Sequence, residues 1–118
     1  MQKHYTLRKA DRLKSKQGFQ EVYKNGRAAA DAMAVLYVLP GREKERRIGF
    51  AAGKKLGCAV VRNRTKRMMR EAYRHHKNRL PQGVRLVWMA RRRLVGAGIK
   101  TFENVFLRLA KRAALLQE

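Results

Sequence analysis

The sequence predicts an α+β fold, with helices packed against a single sheet. Three observations carry this. Segments with apolar residues at helical spacing alternate with short, mostly apolar runs, in the order helix, strand, strand, helix, strand, helix. The chain has 118 residues, the length of one domain, and shows no repeat, low-complexity tract or Pro/Ser-rich linker. Its hydrophobic fraction is 45%, enough for a core, so it is not a disordered basic tail.

The elements follow in order. Residues 1–14 are basic without periodicity and read as an arm on a single domain spanning 1–118. Ser15 is placed to cap a helix and Gly26 to stop it, with Phe19, Val22 and Tyr23 on one face of a helix over 16–25. Residues 34–39 read as a strand closed by Pro40-Gly41. Residues 47–52 read as a second strand, so the two predict a hairpin. Gly53, Lys54, Lys55 and Gly57 form a basic link to the strongest helix, 58–76. After Pro81-Gln82-Gly83, residues 84–90 form a strand that is apolar on both faces apart from Arg85. A loop over 91–100 with Gly96 and Gly98 precedes a last helix capped by Thr101. Its apolar positions Phe102, Val105, Phe106, Leu109, Ala113 and Leu116 keep helical spacing.

Charge narrows the function. Thirty Lys and Arg against eight Asp and Glu leave +22, with a pI near 11.5. Solubility needs only about 2–8 charges on a small domain. A compact domain with this excess repels itself and suits a polyanion. Nucleic acid gains most, because each neutralised phosphate releases a condensed counterion. An anionic membrane surface is the rival, but no apolar run approaches the ~18 residues of a span, and residues 1–10 lack the apolar stretch of a signal peptide. A single cysteine, Cys58, permits no intrachain disulfide and points to a reducing, cytoplasmic setting.

The charge concentrates in 54–79, with ten basic residues against one acid, Glu71. On a helix over 58–76, Val61, Thr65, Met68, Met69, Ala72 and His76 share an arc that should face the sheet. Arg62, Lys66, Lys77, Arg70, Asn63, Arg74 and Arg67 share the opposite arc, and Arg64 lies apart on the flank near Glu71. Like charges at i, i+4 destabilise an isolated helix, and Glu71 is within reach of only Arg67 and Arg64. Solvated helix faces usually mix charge signs; a one-sign face is better explained by a polyanionic ligand. Arginine predominates here, which suits bidentate contacts to phosphate and guanine.

Phe19 and Tyr23 on the first helix and Tyr37 on the first strand would line one groove if the helix lies beside that strand face. Aromatics beside cations stack unpaired bases. The same spacing also describes ordinary helix-to-sheet packing, which spacing alone favours. Catalytic chemistry has little to stand on. His75 and His76 point about 100° apart on a helix, no carboxylates pair in sequence, and the Gly49–Lys55 run is one residue short of a P-loop, with Lys55 in place of Ser or Thr. The bland role for Cys58 is a small buried residue at a helix start.

The run from Lys54 to Glu71, with Arg62-Asn63-Arg64, Lys66-Arg67 and Arg70-Glu71 at its heart, resembles the signature of the bacterial ribonuclease P protein component. Phe19 to Gly26 resembles the family's first helix, Val35-Leu36-Tyr37 its first strand, and Ala90-Arg91 follows its late strand. The likeness covers nearly the whole chain. Three positions depart from it. Cys58 stands where a polar residue is usual, Gly53 where Ser is common, and Ala34 where an aromatic is frequent, which bears on one side of the groove.

The resemblance implies a two-layer α/β sandwich, about four strands with three helices and a left-handed βαβ crossover, like the second domain of a ribosomal small-subunit protein. It implies the protein subunit of an endoribonuclease whose chemistry resides in an RNA subunit. That RNA performs the Mg²⁺-dependent removal of the 5′ leader from precursor tRNA. On this sequence, Lys54, Lys55, Arg62, Asn63, Arg64, Lys66, Arg67, Arg70 and Arg74 would contact the catalytic RNA. Phe19, Tyr23 and Tyr37 would line a cleft for the leader, with Arg91 and Arg92 at its rim. No catalytic residue, protein-bound metal or obligate protein partner is expected. The alternative is a general RNA-binding or ribosome-associated protein with no processing role.

Overall fold

A computed structural model describes residues 11–13, 15–41 and 44–115. The chain runs α1 (Lys16–Asn25), β1 (Arg27–Ala30), β2 (Ala34–Pro40), β3 (Arg46–Ala51), α2 (Ala59–His76), β4 (Val84–Ala90) and α3 (Ile99–Arg112). Ser15 caps α1, its Oγ accepting the Gly18 N–H at 2.9 Å, and the Gly26 N–H donates to the Val22 carbonyl where the helix stops.

The sheet is four-stranded and mixed, in the order β1-β2-β4-β3. β1/β2 and β2/β4 are antiparallel, while β3 and β4 are parallel and joined through α2. The hairpin expected from 34–39 and 47–52 is therefore absent. β4 lies between those strands, pairing Leu36 with Trp88 on one side and Phe50 with Trp88 on the other. Both β2 and β4 are buried along most of their length, which suits central strands with neighbours on both edges. The fourth strand, Arg27–Ala30, is an alanine edge strand with neither strand propensity nor alternation to announce it.

Alternation along the strands sorts the helices between two faces. Ala34, Leu36, Val38, Leu86 and Trp88 join α2 and α3 in the main core. Trp88 meets Phe106 at a tilt with ring centroids 4.9 Å apart, and Phe106 meets Tyr73 edge-on at 5.6 Å. Trp88, Tyr73, Phe102 and Phe106 are among the largest fully buried side chains, each worth about 1.5–3 kcal/mol of transfer free energy. The opposite face carries Val35, Tyr37, Val87 and Gly49, and α1 lies there, with Tyr23 against Tyr37 and Phe19 over Gly49.

Two ends differ from expectation. α3 starts at Ile99 with Gly98 as its cap, one turn before Thr101, which lies inside the first turn. It stops at Arg112 because Ala114 takes a left-handed φ of 59°. Leu116 lies outside the described residues. So does most of the expected N-terminal arm, residues 1–10 and 14. Asp11 to Leu13 run along the edge of β3, where the Leu13 N–H donates to the Ile48 carbonyl at 2.9 Å.

Candidate RNA-binding surface

α2 carries the cationic face. Gly57, at φ 140°, turns the chain into Cys58, the N-cap, whose carbonyl accepts the Arg62 N–H at 3.0 Å. Cys58 is exposed rather than buried. The backbone N–H groups of Val61 and Val60 favour its thiolate and hold its pKa below the ordinary range. Thr65, Met69, Ala72 and Tyr73 are the buried residues of α2.

Tyr73 shifts the helix face from where spacing placed it. With Tyr73 in the core, Asn63, Arg64 and Arg67 are the exposed centre of the cationic face, and Arg62, Lys66, Arg70 and Arg74 are half-buried beside it. Arg64 therefore belongs to the face instead of standing apart. Lys77 leaves it. It sits past the helix end in a 3₁₀ turn, buried, with Nζ 3.2 Å from Asp11. Glu71 relieves neither Arg67 nor Arg64. Its carboxylate pairs with Arg74 and lies 3.6 Å from His75, and the hydrogen bond from Arg74 holds its pKa below the usual carboxylate range.

A cleft of about 890 Å³ opens where β3 and β4 end. Tyr23, Ala51, Ala52, Leu56, Met89 and Ala90 give it an apolar lining, and Lys54, Lys55, Arg91 and Arg92 bring four cations to it. Lys54 and Lys55, expected on the catalytic-RNA surface, thus stand with the leader residues and join the two regions. Arg91 is fixed at both ends: its N–H donates to the Met33 carbonyl at 2.9 Å and its Nη1 to the Asp31 carbonyl at 3.0 Å.

Of the three aromatics, Tyr23 alone lines the cleft. Tyr37 backs it edge-on at 4.9 Å, and Phe19 lies at 6.4 Å from Tyr23 on the far side, over Gly49. Burial, and then the neighbouring Tyr37, raise the Tyr23 pKa, so its phenol stays neutral. Ala34 is buried in the core on the other face and borders no part of this groove. The apolar lining went unpredicted. Its one signal is that β3 and β4 stay apolar on the α1 face at their ends, where Ala51 opposes Met89.

The histidine pair joins two helices. His75 Nδ1 lies 3.0 Å from one Glu103 oxygen and His76 Nε2 lies 3.5 Å from the other, tying α2 to α3. Among the described residues no group of His, Cys, Asp or Glu could hold a metal ion, and no helix is long and apolar enough to cross a membrane.

A helix with a one-sign cationic face, preceded in the chain by the Lys54 and Lys55 of a basic aromatic cleft, on a mixed α+β scaffold, defines an RNA-binding protein by class. Comparison with known proteins narrows the class. The family model for ribonuclease P matches residues 7–114. The ribonuclease P protein component of Symbiobacterium thermophilum is 45% identical over 112 residues, covering 94% of this chain and 97% of its own length. That of Caldanaerobacter subterraneus is 36% identical, covering 93% and 95%. Among solved structures, the Staphylococcus aureus RNase P protein superposes with a TM-score of 0.82 at 31% identity, covering 92% of this chain and 100% of its own. The Thermotoga maritima protein does so at 0.78 and 28% identity, covering 86% and 96%. The chain belongs to the ribonuclease P protein family, the protein subunits of a ribonucleoprotein endoribonuclease of tRNA processing.

Proposed function

We propose that this chain acts as one RNA-binding domain that holds two RNAs at once. The α2 face, through Arg62, Asn63, Arg64, Lys66, Arg67, Arg70 and Arg74, seats the catalytic RNA of ribonuclease P. The cleft receives the unpaired 5′ leader of precursor tRNA. Lys54, Lys55, Arg91 and Arg92 neutralise leader phosphates, and Tyr23, braced by Tyr37 and Phe19, offers a stacking surface for a base. The observation that carries this reading is the meeting of four cations with one half-buried tyrosine in a cleft whose Lys54 and Lys55 lie just before α2 in the chain.

Among the described residues the side chains supply charge, stacking and position, and none is arranged to attack a phosphodiester. The described residues offer no carboxylate set for Mg²⁺, so the metal would be held by the RNA, which supplies the hydrolytic chemistry. The protein contributes by holding the leader against the RNA, converting an encounter into an oriented complex.

Precursor-tRNA cleavage by a bacterial catalytic RNA at limiting Mg²⁺, with and without this protein, tests the reading. A rate gain on adding the protein is expected, and its absence refutes the proposal. Tyr23→Ala should weaken precursor binding by about 1–3 kcal/mol, the worth of one base stacked on an aromatic ring, while mature tRNA binds as before. Equal losses for both substrates would remove the leader from the cleft.

A further inference from the structure

We infer that Gly49 is a positioning residue for the cleft, acting through Phe19 on Tyr23; this rests on the leader-cleft reading above. Gly49 lies on β3 with its α face turned toward α1, and the Phe19 ring is seated directly on it. A Cβ built there would lie 2.7 and 2.8 Å from the two Cε atoms of Phe19, and closer still to Cζ. Ordinary carbon contacts begin near 3.5 Å, so any side chain at position 49 must move the ring by about 1 Å. Gly49 is buried and its strand is paired to β4, Gly49 opposing Val87, so the strand cannot yield instead.

The displaced ring is the one that touches Tyr23. At its other end α1 passes close to β2: a Cβ on Gly26 would lie 2.8 Å from the Val38 carbonyl oxygen. Val22, between the two seats, is fully buried. Tyr23 stands between them too, in contact with both Phe19 and Tyr37. Moving the Phe19 ring therefore removes or reshapes the surface that Tyr23 rests against, and Tyr23 lines the cleft. In this arrangement Phe19 is a brace beneath Tyr23, away from the cleft lining, and the glycine under it sets the height of the cleft wall.

The test is a double-mutant cycle read as the ratio of precursor to mature tRNA affinity in the assembled ribonucleoprotein. G49A should lower that ratio by about tenfold, a part of the ~5–150-fold that one base stacked on an aromatic ring is worth, with catalytic-RNA affinity unchanged. In the F19L background the ring is gone, so adding G49A should cost nothing further. Should G49A alone fail to fold, the comparison of F19L with F19L/G49A decides by itself. A G49A ratio equal to wild type, or a loss from G49A that persists in full with F19L, overturns the inference. Y23A separates the two levels. If Y23A lowers the ratio and G49A does not, the positioning role fails. If neither does, the cleft reading itself fails.

Discussion

Replacing Arg64 and Arg67 together removes two exposed cations from the centre of the α2 face. Five cations, Arg62, Arg64, Lys66, Arg67 and Arg70, lie on or beside that face and, among the described residues, have no acidic partner of the kind Glu71 gives Arg74. If each meets one phosphate of a helical RNA, at about 0.9 apiece, the log–log slope of affinity against salt is about −4.5. Wild-type affinity then falls by about 10²–10³ between ~50 and ~200 mM salt. The Arg64→Ala/Arg67→Ala variant should bind more weakly at low salt with a slope of about −2.7, so its deficit shrinks by about tenfold across that range. Lys77→Ala is the control. Helical spacing placed Lys77 on the same face, but its Nζ is buried against Asp11 at 3.2 Å. Its loss should cost about 1–3 kcal/mol of folding stability and leave the slope alone. Filter binding or fluorescence anisotropy with the catalytic RNA across a salt series reads both variants. An unchanged slope for the double variant, or a flattened one for Lys77→Ala, refutes this placement of the RNA surface.

Three further outcomes are expected. Cys58→Ser should raise the melting temperature by about 2–4 °C, because a hydroxyl caps α2 better than a thiol that makes no capping hydrogen bond. Ala114→Gly should stabilise the chain by about 0.5–1 kcal/mol in denaturant titrations, since φ 59° strains any residue with a Cβ. Glu103→Gln should show a pH-dependent defect. The hydrogen bond from His75, with that from His76, holds the Glu103 pKa below the ordinary value of 4.5. Stability from this ionised carboxylate is thus fully present above that value and lost as pH falls through the lower folded value. Wild type should exceed the variant in urea midpoint at pH 6 and converge with it in acid, and a constant gap would refute the clasp.

Local structure was legible in the sequence wherever one residue type enforces it. Ser15 and Gly26 bound α1 as predicted, because a hydroxyl caps free N–H groups and glycine permits the close approach that ends the helix. β4 was recognised over its full length, since a strand buried on both faces reads as an unbroken apolar run. Pairing was not legible. Proximity in sequence favoured a hairpin of β2 with β3, and nothing local records that β4 comes between them. The Arg62–Glu71 run marked the family and the cationic helix, but not which arginines face outward. That depended on Tyr73, whose ring is drawn into the core by Phe50 and Phe106, both distant in sequence.

The composition and spacing of this chain determined by themselves that it is a basic α+β protein with a cationic helix, because charge excess and periodicity are sums and repeats along the chain. Tertiary structure decided what those residues do together. It turned α2 so that Arg64 faces out and Lys77 in. It laid α1 on the opposite face of the sheet from α2 and α3, and it brought Lys54, Lys55, Arg91 and Arg92 around Tyr23. The reason is the range of the forces. Propensity and capping act over a few neighbouring residues, whereas a cleft is the space left when strands and helices far apart in sequence have each buried the apolar faces they could not leave in water.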